Sequence, residues 1–259
     1  MRTSARSAAL FLGLLVSVSL LCNGQAKLDP RAAKPTNEVY EVLSQLRGKV
    51  LVDGDGKDAD WQSLPWKPIN QLWLGPELKG RDFMGRYKLA WAKEGLYLLA
   101  ETIDDTLVDT HADPLVKYWD DDCLEVFVDE NANGGNHQYN HSAFAYHISL
   151  AGQNIDIGPD MVARNYKAHI ISVRKTVKQK STWECLIRLY PETFKDDTPG
   201  QPSVNLGKDK KIGFMLAYCD NDKSEERENF IGSIPIAGQE KNVGWINASV
   251  FGKYVLMGN

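Results

Sequence analysis

Apolar and polar positions alternate along most of this chain in short runs, each closed by Gly, Asn, Asp or Pro. A period of two marks a strand with one buried face. Tyr87 to Trp91 and Leu96 to Ile103, joined by Ala92-Lys93-Glu94-Gly95, read as a hairpin. Ser142 to Leu150, His169 to Val177, Thr182 to Tyr190, Ile212 to Cys219 and Lys253 to Met257 read as further strands. Only Val39, Val42, Leu43 and Leu46 fall at helical spacing, which predicts a short amphipathic helix after Asn37. The pattern predicts an all-β fold, a β-sandwich or jelly roll of two antiparallel sheets, preceded by a short helix or tether.

The segment Trp119 to Asn133, WDDDCLEVFVDENAN, carries the most chemistry. Leu124, Val126 and Val128 face the core and place Glu125 on the opposite side. In Ser142 to Leu150, Phe144, Tyr146, Ile148 and Leu150 take the core, leaving Ala143, Ala145, His147 and Ser149 on a small, polar face. If both strands lie in one sheet, Glu125 and His147 share a wet face. An aromatic ring beside acids and amides can stack on a sugar and hydrogen-bond its hydroxyls. The same residues equally suit a plain strand with a solvated acidic loop.

The chain has 259 residues, 43% hydrophobic and 25% charged, an ordinary globular mix. Arg2 and Arg6 precede the apolar run Ala8 to Leu21, and Gly24-Gln25-Ala26 offers a cleavage point. That run is shorter than the roughly 20 residues of a membrane span, so residues 1–26 read as a signal peptide of an exported, periplasmic or extracellular protein. Cys22 offers a lipid-anchor alternative, disfavoured by the bulky Leu21 before it. Residues 27–48 form a linker, Lys-, Ala- and Pro-rich at first, and 49–259 a single domain. Losing residues 1–26 takes the formal charge from −4 to −6, which argues against nucleic acid. Cys123, Cys185 and Cys219 remain, with no C-x-x-C spacing, and read as small buried hydrophobes.

Asp129, Asn131, Asn133 and Gly134 match the opening of a calcium loop. Asn140 stands where an EF-hand needs glutamate and no helices flank the loop, so an EF-hand is rejected while a half-loop holding structural calcium remains. Asp53, Asp55, Asp58 and Asp60 form a second oxygen cluster, which Gly54 and Gly56 make read as a turn. His141 and His147, about 20 Å apart on an extended strand, do not make one metal site. His137 reads as solvated.

Val52-Asp53-Gly54 with Asp60-Trp61, then YKLAWAKEGLYLLAETIDD (Tyr87–Asp105), WDDDCLEVFVDEN (Trp119–Asn131), IGFMLAYCDND (Ile212–Asp222), Trp245 and FGKYVL (Phe251–Leu256) resemble the family 9 carbohydrate-binding modules over residues 50–257. The resemblance implies a β-sandwich that binds sugars without cleaving them, gripping a terminal sugar between two tryptophans, often with structural calcium. Trp119 and Trp245 match the tryptophans, Asn242 the asparagine three residues before the second ring, and Glu125 the strand glutamate. The chain departs from the family's well-studied sugar binders at His147, where they carry arginine, and at Ala217, where they carry glutamine. The segment Leu64 to Arg86, with Trp66 and Trp73, is longer than the family norm. Among the remaining tryptophans, Trp91 and Trp183 fall on core stripes and Trp61 reads as an end plug beside the Asp53 turn.

Three function classes follow. The first is a non-catalytic binder of an oligosaccharide or polysaccharide, with Trp119, Trp245, Asn242, Glu125 and His147 as the site. The second is a glycoside hydrolase, which needs a pair of opposed carboxylates that the sequence does not assign. The third is a haem-carrying sandwich using Met161, Met215 or the histidines.

Overall fold

A computed structural model of the chain describes residues 39–80 and 82–258. The expected leader 1–26, with Cys22, and the tether 27–36 lie outside the described residues. Fourteen strands follow in order: β1 (Glu41–Ser44), β2 (Lys67–Ile69), β3 (Gln71–Leu74), β4 (Phe83–Ala92), β5 (Gly95–Asp104), β6 (Cys123–Asp129), β7 (Phe144–Ser149), β8 (Asn154–Ile157), β9 (Ala163–Asn165), β10 (Ile170–Val177), β11 (Lys180–Ile187), β12 (Lys211–Asp220), β13 (Asn229–Gly232) and β14 (Gly252–Met257). A single helical turn, α1, spans Ala59–Gln62, and a 3₁₀ turn spans Ala248–Val250.

The strands form two sheets. The larger runs β1-β14-β12-β6-β7-β8-β9, with β13 continuing the β14 edge of β12 and β3 pairing β13. The smaller runs β10-β11-β5-β4-β2. All strand pairs are antiparallel except β1 with β14. The β4–β5 hairpin closes tightly because Gly95 carries no Cβ, which would stand 2.3 Å from the Ile187 carbonyl oxygen.

The expected parity holds on the inner faces. Leu124, Val126, Val128, Phe144, Tyr146 and Ile148 meet Trp91, Leu96, Leu98 and Trp183 of the facing sheet in one apolar core. Both outer faces are covered as well. Phe127, Met215, Phe230 and Trp73 build a second cluster outside the larger sheet, and Tyr97, Leu99, Trp61 and Val50 a third outside the smaller one. All seven residues of β6 are therefore buried. The face shared by Glu125 and His147 is not the wet surface expected, because later segments of the chain fold over it.

A second expectation is corrected at the start. The segment after Asn37 is a strand and not a helix: β1 lies parallel to β14, pairing Glu41 with Tyr254 through to Ser44 with Met257. Of the four apolar residues at helical spacing, Leu43 is buried while Val39 and Val42 are exposed. Backbone pairing along an open sheet edge outweighs an apolar stripe that has nothing to cover. The compact unit accordingly begins at Val39.

Trp61, expected to plug the sandwich end, instead covers the outer face of the smaller sheet, held by a partner the sequence did not suggest. Glu184 is fully buried beneath it. Its Oε1 accepts from Trp61 Nε1 at 2.9 Å, and its Oε2 accepts from the backbone N–H groups of Gly54 at 2.7 Å and Asp53 at 3.1 Å. Removing this acceptor strands the buried Trp61 and Gly54 donors, while Asp53 N–H keeps the Leu51 carbonyl at 3.0 Å. Glu184→Ala should lower the unfolding free energy by about 3 kcal/mol or more in chemical denaturation. An unchanged midpoint would show that the Asp53 turn and Trp61 do not depend on it.

Candidate functional site

Strand parity builds the floor of the site. Cys123, Glu125 and Phe127 of β6 point away from the sandwich core, and the register aligns Ala217, Glu125, His147 and Ile155 in one row across four strands. Alanines at 143, 145 and 217 leave room above the sheet. Over them lies a cavity of about 290 Å³. Trp119, Trp245, Asn242, Glu125 and His147 all line this one cavity, so the structure brings together the five residues singled out in the sequence.

The two tryptophans reach it on separate loops. Trp119 sits in a turn entered through Lys117 at φ 51° and closed by Asp120 N–H donating to the Lys117 carbonyl at 2.8 Å. The acids beside it serve the loops and not a ligand. The Asp121 carboxylate accepts from the backbone N–H groups of Thr110 and His111, that of Asp122 from Val108 at 2.6 Å and Asn221 at 2.8 Å, and that of Asp120 from Arg227 at 3.3 Å. Trp245 rides on a turn bonded to the 136–140 loop by His137 N–H to the Ile246 carbonyl at 2.9 Å and by the imidazole of His137 to the Gly244 carbonyl at 2.7 Å. Gly244 must be glycine, since a Cβ would stand 2.4 Å from Met215 and 2.8 Å from the Phe127 ring. Each tryptophan meets a tyrosine edge-on: Tyr118 to Trp119 at 4.9 Å and Tyr139 to Trp245 at 6.3 Å between centroids.

The floor is charged. His147 Nε2 stands 3.3 Å from Glu125 Oε2. Burial alone would favour the neutral imidazole, but the Glu125 carboxylate outweighs it and lifts His147 to about 10. Arg227, absent from the sequence reading, enters from the 221–228 loop. Its guanidinium packs 4.1 Å from the Phe230 ring centroid, Nη1 donates to Cys219 Sγ at 3.1 Å, and the side chain lines the cavity. Asp156 lines another wall, its two oxygens accepting from Ala145 N–H and Ile157 N–H, and burial pushes it up to about 7. Tyr118, Tyr139 and Arg227 escaped sequence reasoning, and His137 was misplaced, because they sit in loops where no periodicity reports orientation.

Other expectations resolve differently. His137 is buried and not solvated, and burial lowers its pKa. Trp73 is buried in the second cluster, and Trp66 lies under Arg86 and Lys88, so neither belongs to the cavity. Met161 is exposed and Met215 is buried in the second cluster, and neither lines the cavity.

Of the expected calcium ligands, Asp129 is buried and its two oxygens accept from Asn131 N–H at 3.1 Å and Gly134 N–H at 2.7 Å, while Asn131 accepts from Asn133 N–H at 2.9 Å. An ion there would have to share or displace these loop bonds. Among the described residues a wholly buried donor set also gathers at Asp104, Asp122 and Asp220, whose oxygens lie within 4.8 Å of one another, Asp122 likewise accepting two backbone N–H groups and Asp104 accepting from Thr106 N–H and Tyr218 O–H. Burial, with mutual repulsion behind it, pushes Asp104 to about 6, Asp122 to about 9 and Asp220 to about 8.

A family model identifies the family, and solved structures share the fold. A family model described as "Carbohydrate family 9 binding domain-like" matches residues 52–259. Among solved structures, the chain is similar to a carbohydrate binding module family 9 from Caldicellulosiruptor kristjanssonii in complex with cellotriose, at TM-score 0.64 and 19% identity, covering 85% of this chain and 95% of that one. The module from the same organism in complex with glucose gives 0.63 and 19%, covering 85% and 97%. A putative carbohydrate-binding protein from Bacteroides uniformis gives 0.53 and 10%, covering 83% and 97%. At such identities the likeness shows the fold. No curated protein matches by sequence.

The buried acids set a pH limit. Their folded pKa values lie above the ordinary 3.8, so the folded chain holds protons that the unfolded chain has released. That contribution is complete below about 4 and is lost as pH rises through roughly 6 to 9. His137, His141 and His169, held neutral by burial, act in the opposite sense but only below their ordinary 6.5. In chelator, the melting temperature should fall steadily from pH 6 to pH 9 by calorimetry. A flat or rising curve there would contradict the assignment.

Proposed function

Because the chain belongs to the carbohydrate family 9 binding domain-like proteins, we propose that the cavity between Trp119 and Trp245 binds a saccharide without cleaving it. The observation that carries this reading is the convergence of both rings with Asn242, Glu125 and His147 on one cavity. A pyranose has apolar C–H faces and equatorial hydroxyls, so rings on opposing loops can cover the faces while polar groups on the floor read the rim. The floor supplies His147 and Arg227 as donors and Glu125 as acceptor.

The engagement of the acids supports binding without hydrolysis. Glycoside cleavage needs two opposed carboxyls free to act on the bond. Among the described lining residues the carboxyls are Glu125, engaged by His147, and Asp156, whose oxygens both accept backbone N–H groups. The basic start, apolar run and small residues of 1–26 support export, to where a polysaccharide or its fragments would be met. Where the family's well-studied sugar binders carry arginine and glutamine on the strands, His147 and Ala217 stand here, which supports a sugar preference different from theirs.

We also propose a structural calcium ion, held by Asp104, Asp122 and Asp220 and not by Asp129, Asn131 and Asn133. Asp122 ties Val108 and Asn221 to the start of β6, so an ion there would brace the loop that carries Trp119. Calcium should raise the melting temperature more at pH 8 than at pH 5, where protons compete, and Asp220→Asn should abolish the gain. An equal gain in Asp220→Asn would put the ion elsewhere.

The sugar site is tested by titration calorimetry with the best ligand of a glycan array. Trp119→Ala and Trp245→Ala should each weaken binding by about 2 kcal/mol or more, the scale of an aromatic anchor. Both should keep their near-ultraviolet circular dichroism. Wild-type affinity in both variants would place the saccharide elsewhere.

A further inference from the structure

We propose that Cys123, His147 and Cys219, with Glu125, form a zinc(II) site beneath the cavity floor. The cysteines are direct partners across β6 and β12, and His147 lies in the neighbouring row on β7, so one sheet face gathers all the donors. One ligand atom from each of the two cysteines and the histidine lies within 4.8 Å of the others, and all three residues are buried. Glu125 Oε2 is 3.3 Å from His147 Nε2 and 3.9 Å from Cys219 Sγ. A tetrahedral ion with bonds of about 2.0–2.3 Å needs its ligand atoms roughly 3.3–3.8 Å apart, so the two sulfurs and the imidazole, now within 4.8 Å of one another, draw in by up to about 1 Å and Glu125 turns toward the ion as the fourth ligand.

Donor chemistry selects the metal. Two thiolates and an imidazole favour zinc over calcium or magnesium, which take oxygen. Binding releases the thiol protons still held by the cysteines together with the imidazole proton of His147. The charges then balance: a divalent ion, two thiolates, the Glu125 carboxylate and the Arg227 guanidinium sum to zero around a neutral imidazole. Arg227 Nη1, already donating to Cys219 Sγ at 3.1 Å, supplies the outer hydrogen bond that metal-bound thiolates commonly accept. His147 also has a ring nitrogen to spare, because Nδ1 is buried with no hydrogen-bond partner among the described residues. The absence of a C-x-x-C spacing does not count against the site, since register across three strands does the work of sequence spacing.

Loaded with zinc, Glu125 and His147 become ligands, and Trp119, Trp245, Asn242 and Arg227 remain to face the cavity. The test is titration of the reduced, chelator-stripped protein with cobalt(II). One equivalent should produce the thiolate-to-cobalt charge-transfer band and the strong visible bands of a tetrahedral ion, and zinc(II) should displace it. Changes outside the ligand set alone weaken metal sites about 10–100-fold, so Cys123→Ser or Cys219→Ser should weaken zinc by more than that and abolish the charge-transfer band. Cys185→Ser, buried in the other sheet, should retain both. Absence of the band in wild-type protein with its thiols shown to be reduced overturns the site, whatever the variants do. So does formation of a Cys123–Cys219 disulfide in the presence of excess zinc.

Discussion

Backbone N–H groups in a loop that lies against protein have no ladder to join, and each one left without an acceptor weakens the fold. This chain meets that constraint with buried carboxylates. Asp120, Asp121 and Asp122 follow Trp119 in sequence, and each holds a different stretch of backbone, from Val108 through His111 to Asn221 and Arg227. Glu184 does the same on the far side of the sandwich, for the turn at Asp53 and Gly54. Without these acceptors the sheets could still pair, but the loops that roof the cavity would have no fixed height above it.

The cavity is accordingly a product of two unlike parts. The sheet contributes small residues and the Glu125–His147 pair in fixed register, and the loops contribute rings and a cation. Arg227 shows the division most clearly. The strand position at which related sugar binders carry arginine holds His147 here, and a guanidinium arrives instead from an irregular segment, steadied by the Phe230 ring and Cys219. A cation of the same chemistry thus reaches the cavity floor from a loop and not from a strand.

What was legible in the sequence follows this division. Period-two patterning located the long strands and their inner faces correctly, since parity is a local property and the core rewards it along the whole strand. It put Glu125 and His147 on one face for the same reason. It misjudged that face as wet because the residues that cover it, Trp73, Phe230 and Phe251, come from distant segments and leave no mark on β6 or β7. The acids after Trp119 looked like ligand contacts and turned out to be loop acceptors, a distinction that depends on where Val108 and Asn221 run. The segment before Ser44 was misread because four apolar residues fit a helical stripe by chance, while the open edge of β14 offered the backbone a better partner.

That first strand has a consequence for anyone who trims the chain. The family match begins at residue 52, and a cut there would discard β1. The outer hydrogen-bonding row of β14, now occupied from Tyr254 to Met257, would become a bare sheet margin. Trp91 Nε1 would lose the Leu43 carbonyl, one of its two acceptors. Exposed margins of this kind recruit strands from other molecules. The shortest piece that looks complete by family boundaries is therefore one built to self-associate, and a stable solitary domain has to keep a dozen or so residues that the family boundary leaves out.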